Sequence, residues 1–177
     1  MFALDRHIER WIVDHRVSSL NWLFVLLSHV GSYGAVWLAV AVVLAMLRRQ
    51  PALFVRVLVA DAAAELTSAA LKWAIPRHRP RLHALVPMPH GHSFPSGHAA
   101  TSFACATVLA AAAAPRGRAA FYSLAVLIAF SRLYNGVHFP LDVIAGAALG
   151  VAIGVAVRAL RPREALRRRS PQDSPAG

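Results

Sequence analysis

Five long apolar stretches separated by short polar segments limit this chain more than any other feature. They cover residues 19–47, 52–75, 98–114, 119–135 and 140–160. About 20 apolar residues in a helix are needed to cross the hydrocarbon of a bilayer. Hydrophobic residues make up 57% of the chain and charged residues 15%, and the mean hydropathy is +0.49. That is a membrane composition rather than a soluble one. The expected fold is all-α: a polytopic membrane helical bundle of five transmembrane helices with an N-terminal amphipathic helix. Residues 1–160 are expected to form one membrane-embedded domain. Residues 161–177, basic and then Ser/Pro-rich, are expected to form a disordered cytoplasmic tail.

The stretches differ in detail. The first is interrupted by Ser28-His29-Val30-Gly31-Ser32-Tyr33-Gly34, which predicts a bend or break near Gly31 to Gly34. A short re-entrant piece followed by a helix is the alternative. The second carries Asp61, Glu65, Ser68 and Lys72 at spacings of four, three and four, one helical stripe that should face the bundle interior. Asp61 and Glu65 there read chiefly as partners for buried donors. The third is rich in alanine and should pack tightly. The fifth carries Gly146, Gly150 and Gly154, a small-residue face for close helix contact. Ahead of them all, Leu4, Ile8, Trp11 and His15 share one helical face of residues 2–17, and Asp5, Arg6, Glu9 and Arg10 fall elsewhere. Two readings fit: a helix lying in the membrane interface with Trp11 as anchor, or an ordinary amphipathic helix packed on the domain. The N-terminus has no early apolar region of the kind a cleaved signal peptide carries. Cys105 is the only cysteine, so no intrachain disulfide is possible.

The net charge of +11 does not point to nucleic acid. The arginines sit at the ends of apolar spans and in two short clusters, not along one polar face. With the C-terminus in the cytoplasm, Arg48, Arg49, Arg116, Arg118 and the cluster from Arg158 to Arg169 all fall inside, as the positive-inside rule requires. The 76–97 loop and the 132–139 turn then share the extracytoplasmic face. The loop breaks the rule, since it carries Arg77, Arg79 and Arg81. Basic residues kept on the wrong side imply a task there.

Chemistry gathers on that face. Pro95 and Gly97 are turn formers and Ser96 is a good N-cap, so the N–H groups around Ser96, Gly97 and His98 should point outward at a helix start. Pro140 marks a second start, with His138 just outside it. Two helix N-termini with Lys72, Arg79 and Arg132 suit a multiply charged tetrahedral anion, which means phosphate. Two histidines, one followed by Asp142 at four residues, suit phosphoryl transfer through a histidine nucleophile. One imidazole attacks phosphorus, Asp142 fixes its tautomer, and the other protonates the leaving oxygen. Three rival readings are weaker. Zinc on His90, His92 and His98 lacks a nearby carboxylate or cysteine and meets repelling arginines. A serine hydrolase on Ser96 and His98 lacks the Gly-x-Ser-x-Gly elbow. A channel, transporter or lipid-binding protein would use Asp61 and Glu65 as its polar pathway.

Three motifs carry a resemblance. Lys72 precedes Arg79-Pro80 by the spacing Lys-x6-Arg-Pro, Pro95 to His98 reads Pro-Ser-Gly-His, and Ser131-Arg132, His138 and Asp142 read Ser-Arg-x5-His-x3-Asp. In order and spacing the chain resembles the type 2 phosphatidic acid phosphatase and vanadium haloperoxidase superfamily, in its membrane lipid-phosphatase branch. The resemblance implies His138 as nucleophile, His98 as general acid and Asp142 as the residue holding His138. It implies that Lys72, Arg79, Arg132, Ser96 and Gly97 bind the phosphate, with no metal or other cofactor. The one departure is the span count, usually six against five here, and it falls on residues 2–30. The implied substrate is a lipid phosphate or diphosphate, foremost a polyprenyl (undecaprenyl-type) diphosphate. Phosphatidylglycerophosphate, phosphatidate and a polyprenyl-phosphoribose phosphate are alternatives. A single lysine among many arginines, with abundant alanine, is associated with GC-rich bacterial genomes; with the topology above, the expected setting is a bacterial cytoplasmic membrane with the site on its outer side.

Overall fold

The computed structural model describes residues 2–160, and the tail expected over 161–177 lies outside them. The described residues form α1 (Phe2–Asp14), α2 (Asn21–Val30), α3 (Ala35–Leu47), α4 (Pro51–Ala74), α5 (Gly97–Ala111), α6 (Pro115–Tyr134) and α7 (Pro140–Ala159), with single 3-10 turns at Ser18–Leu20 and Ser32–Gly34. No strand occurs among the described residues. Proline opens α4, α6 and α7, where its missing N–H has no helical partner to lose and its fixed φ suits the first turn. Each apolar stretch of the sequence is therefore a helix or a helix pair.

Helix α5 is the axis. It is built almost wholly of small residues, and Ala99, Ala100, Ala104, Cys105, Ala106, Val108 and Leu109 are all buried. Helices α4, α6 and α7 pack around it. The α7 side of that packing is the glycine face expected from the sequence. A Cβ at Gly150 would collide with the Ala100 carbonyl and stand 2.9 Å from the Ala104 nitrogen, and one at Gly154 would stand 2.6 Å from the Thr107 Cβ. The two backbones are in contact along their length, which only glycine permits. On the other side Trp37 of α3 is fully buried, and its indole N–H donates to Ser102 at 3.1 Å.

The expected break in the first stretch is present. Tyr33 (φ 51°) and Gly34 (φ 64°) are left-handed, and the segments Ser18–Val30 and Ser32–Leu47 meet at 64°. Gly34 is needed twice over. Its φ is unfavourable for other residues, and a Cβ there would overlap the Asp61 carboxylate. By length and composition α7 alone among the described helices would cross a bilayer, and the bent pair qualifies when taken together. The charges on α4 and the 15-residue length of α5 keep those helices outside such a count.

Helix α1 bears on the two readings of residues 2–17. Its two acids face the protein, Asp5 3% and Glu9 1% exposed, while Arg6 and Arg10 are exposed. Its apolar side faces away, with Leu4 65% and Trp11 57% exposed. A soluble amphipathic helix packs the opposite way.

Two outcomes follow from this packing. Replacing Gly150 by leucine must push α5 from α7, costing about 1–3 kcal/mol or more by overpacking. We expect a lower melting temperature in detergent and a poor yield of monodisperse protein, whereas the outward-facing Val151→Leu leaves both unchanged. Burial pushes the Glu9 carboxyl up to about 7, against the lowering pull of Arg16 and Arg10 and with Asp14 and Asp5 adding to the rise. The folded state then holds this proton more tightly than the unfolded chain. The Glu9 contribution to stability is therefore lost as pH rises from the unfolded value of 4.5 through about 7. Glu9→Gln is expected to melt higher than wild type at pH 8 and equally at pH 4.

Candidate active site

One end of the bundle collects the end of α4, the loop that follows it, the start of α5, the end of α6 and the turn before α7. They enclose a cleft of about 600 Å³ whose walls include Lys72, Arg79, Gly97, His98, Arg132 and His138. Ser96 and Asp142 stand behind this wall, both fully buried. The Ser96 hydroxyl accepts from the Ala99 N–H at 3.5 Å as the cap of α5. Its own N–H donates to the Asp142 carbonyl at 2.9 Å. That bond ties the start of α5 to the start of α7, the two helix termini anticipated from Ser96 and Pro140.

His138 is 3% exposed. Its Nε2 lies 3.1 Å from Arg79 Nη1. A guanidinium can only donate, so Nε2 is the lone-pair nitrogen and the ring proton sits on Nδ1. Nδ1 faces the Asp142 carboxylate, with Oδ2 at 3.4 Å, longer than a formed hydrogen bond. The same Oδ2 accepts from the Phe139 N–H at 2.9 Å, which holds the carboxylate at the helix start. Burial, with Arg132 and Arg79 nearby, draws the His138 pKa down to about 4 despite the opposing pull of Asp142. The ring is therefore neutral at pH 7 and its Nε2 is nucleophilic. His98 is held differently: its Nε2 lies 3.1 Å from the Ser28 carbonyl and 3.4 Å from the Ser32 hydroxyl.

The cations of the cleft are bonded to neutral groups. Lys72 Nζ donates to the Pro95 carbonyl at 2.8 Å. Arg79 is spread over the carbonyls of Gly91, Val137 and His92 at 3.1–3.2 Å, and burial lowers its pKa. Arg132 is 3% exposed, donates to the Ser28 hydroxyl, and keeps its buried Nε without a hydrogen-bond partner among the described residues. Glu65 is the acid on the cleft wall. Three guanidinium or ammonium groups against one carboxylate, drawn out of water, form a pocket that favours an anion. Asp61 instead lies against Gly34, with Cys105 Sγ at 3.9 Å.

Some neighbours were not foreseen. Ser28, Ser32 and Tyr33 line the cleft because the broken segment folds over it. The polar run 28–34 in an apolar stretch is their signal, which the sequence reading takes as a bend, a break or a re-entrant piece. Arg77 is bound not in the cleft but to two carboxylates, Asp5 and Asp142. Its place in a loop that breaks the positive-inside rule was the available sign. His90 lines the cleft, and His92 Nδ1 donates to the Lys72 carbonyl at 2.7 Å. Among the described residues no three metal-ligating side chains cluster.

Comparison with known proteins gives consistent relatives. The sequence pattern of the PAP2 superfamily matches residues 53–165. An undecaprenyl-diphosphatase of Sulfolobus acidocaldarius is 32% identical over 141 residues, 77% of this chain and 68% of that one. A decaprenylphosphoryl-5-phosphoribose phosphatase of Mycobacterium tuberculosis is 35% identical over 140 residues, 74% of this chain and 75% of that one. The crystal structure of Aquifex aeolicus LpxE superposes with a TM-score of 0.78 at 30% identity, covering 87% of this chain and 94% of that one.

The buried, half-satisfied Arg132 generates a prediction. Arg132→Met replaces an uncompensated buried charge with an apolar side chain of similar length. Its melting temperature is expected to equal or exceed that of wild type. Orthovanadate, a tetrahedral oxyanion, should raise the melting temperature of wild type by linkage and leave the variant unmoved. A variant that melts lower yet still responds to the anion would make Arg132 a structural residue.

Proposed function

The chain belongs to the PAP2 superfamily and is a lipid phosphate phosphatase; from that premise we propose that it works through a phosphohistidine on His138 and acts on a polyprenyl diphosphate. The observation that carries the proposal is the neutral His138. Its lone pair on Nε2 points into a cleft of cations bonded only to neutral groups. In the proposed reaction Lys72, Arg79, Arg132 and the Gly97 N–H take the phosphate oxygens, and Ser96 keeps that N–H in place by capping the helix. The Nε2 lone pair attacks phosphorus and the bond from phosphorus to the leaving oxygen breaks. His98, entering the reaction as the imidazolium that a bound phosphate dianion favours, gives that oxygen a proton and becomes neutral. The phosphoimidazolium keeps its Nδ1 proton towards Asp142. Water then attacks phosphorus, His98 takes its proton, and the P–N bond electrons return to Nε2. Inorganic phosphate leaves and both rings are restored. No step calls on a metal.

The setting we propose is a bacterial cytoplasmic membrane, crossed by five helical segments of a single domain spanning residues 1–160. Outward-facing aliphatics such as Val43, Met46, Val55, Leu58, Val126 and Ile144 support a lipid environment, as does the outward apolar side of α1. Arg48 bonds to the Ala112 carbonyl at the end of the bundle away from the cleft. The positive-inside rule puts that end in the cytoplasm and the cleft outside. A polyprenyl chain is favoured because two of the similar proteins act on polyprenyl phosphates by name. A polyprenyl-phosphoribose phosphate is the second reading on the same ground. Phosphatidylglycerophosphate and phosphatidate complete the comparison set.

The test is phosphate release by detergent-solubilised protein with chelator present. We expect undecaprenyl diphosphate to be the fastest of the four lipids, and His138→Ala to lose activity by about 1,000-fold or more. Acid-labile phosphate on the protein should be trappable in wild type alone. Faster release from phosphatidate or phosphatidylglycerophosphate would replace the substrate. An active His138→Ala would overturn the mechanism, and no release from any lipid by folded protein would favour a binding role.

A further inference from the structure

Asp5 is a carboxylate near the start of α1, on a helix that shares no motif with the cleft, yet it is 3% exposed. One of its oxygens accepts from the Leu141 N–H at 2.9 Å, in the first turn of α7. Its other oxygen is bonded to Arg77 Nη2. The second arm of the same guanidinium, Nη1, donates to Asp142 Oδ1 at 2.6 Å. The Arg77 guanidinium also lies over the Phe139 ring, 4.3 Å from its centroid. Asp142 Oδ2 is then left for the Phe139 N–H and His138 Nδ1. The chain of contacts closes on itself: Asp5, Arg77, Asp142, the α7 start, and back to Asp5.

We propose that Asp5 and Arg77 are positioning residues for the reaction, a bridge by which the N-terminal helix aims Asp142 at His138. The proposal rests on the reading of His138 as the nucleophile. Two physical effects support it. A planar guanidinium with two arms on two carboxylates fixes the direction of both, so Asp142 cannot rotate its Oδ2 away from Nδ1. The charges also match the reaction. Asp5, Arg77 and Asp142 sum to one negative charge, and the phosphoimidazolium on His138 carries one positive charge. Removing the Asp5 charge leaves the bridge neutral and the intermediate unmatched. Neither residue lines the cleft of His138, so neither should change how tightly the lipid phosphate is held.

The experiment measures kcat and KM on undecaprenyl diphosphate for wild type, Asp5→Asn, Arg77→Lys, Arg77→Gln, Asp142→Asn and the Asp5→Asn/Asp142→Asn pair, with melting temperatures for all. Asp5→Asn is expected to lower kcat by about tenfold to a hundredfold with KM within about twofold. Arg77→Gln should do the same. Arg77→Lys keeps the charge but not the two-armed geometry, and should recover part of the rate. The discriminating result is non-additivity. In the Asp142→Asn background, Asp5→Asn should cost less than about twofold, because the route by which it acts is gone. A full multiplicative loss there would mean that Asp5 merely supports the fold. Wild-type kcat in a folded Asp5→Asn would overturn the bridge and leave the catalytic reading intact. Wild type that releases no phosphate from any of the four lipids, or an active His138→Ala, would overturn the catalytic reading, and the bridge with it; release from another of them moves the same kcat and KM series to that lipid.

Discussion

The backbone contact between α5 and α7 is the constraint on which the site depends. Glycines at every fourth position of α7 let it lie directly on the alanine-rich α5. Two helices that close must start side by side, and the bond from the Ser96 N–H to the Asp142 carbonyl fixes the level at which they do. His98 is in the first turn of one helix and His138 immediately precedes the other. A pair of imidazoles from segments forty residues apart thus faces one cleft because of glycines that touch no substrate. The remaining helices extend this core. α4 brings Lys72 to the same end, and α6 brings Arg132.

Around that core the charges are sorted by partner. Arg77 sits between two carboxylates and is fully engaged in structure. Arg79, Lys72 and Arg132 rest on carbonyls and a hydroxyl, groups that orient a cation without cancelling it. Such an arrangement is costly in a buried setting. It is the pattern expected where the missing negative charge is to be supplied by a ligand, with donors already aimed and little reorganisation left to do.

Much of this was legible in the sequence because it is written in local spacing. The helices followed from apolar runs, the break at Gly31 to Gly34 from a polar interruption, and the α5–α7 contact from Gly146, Gly150 and Gly154. The clustering of Lys72, Arg79, His98, Arg132 and His138 followed from topology and motif spacing together. What spacing could not carry was contact between distant segments. Asp5 and Arg77 are 72 positions apart, and nothing at either end names the other. The direction in which α1 would face was open for the same reason. Periodicity separates two faces of a helix but does not say which one the protein takes. Ser96 illustrates a third limit: the sequence reads it as a helix cap and the resemblance as a phosphate ligand, the hydroxyl caps α5, and both uses have the same local pattern.

The hold of Arg79 on the His138 lone pair has a consequence for what this site leaves alone. A protein in a bilayer is surrounded by phosphodiesters, each with a single charge and two free oxygens, at concentrations no substrate approaches. An uncovered imidazole among them would be exposed to its own solvent. With the guanidinium on Nε2, the nucleophile we propose would be bared only by a group that draws Arg79 away more strongly than the ring does. A terminal phosphate, with three free oxygens and up to two charges, is such a group. On the proposed reading, the arginine that takes a phosphate oxygen would also be a filter on charge, sparing the phosphodiesters around it.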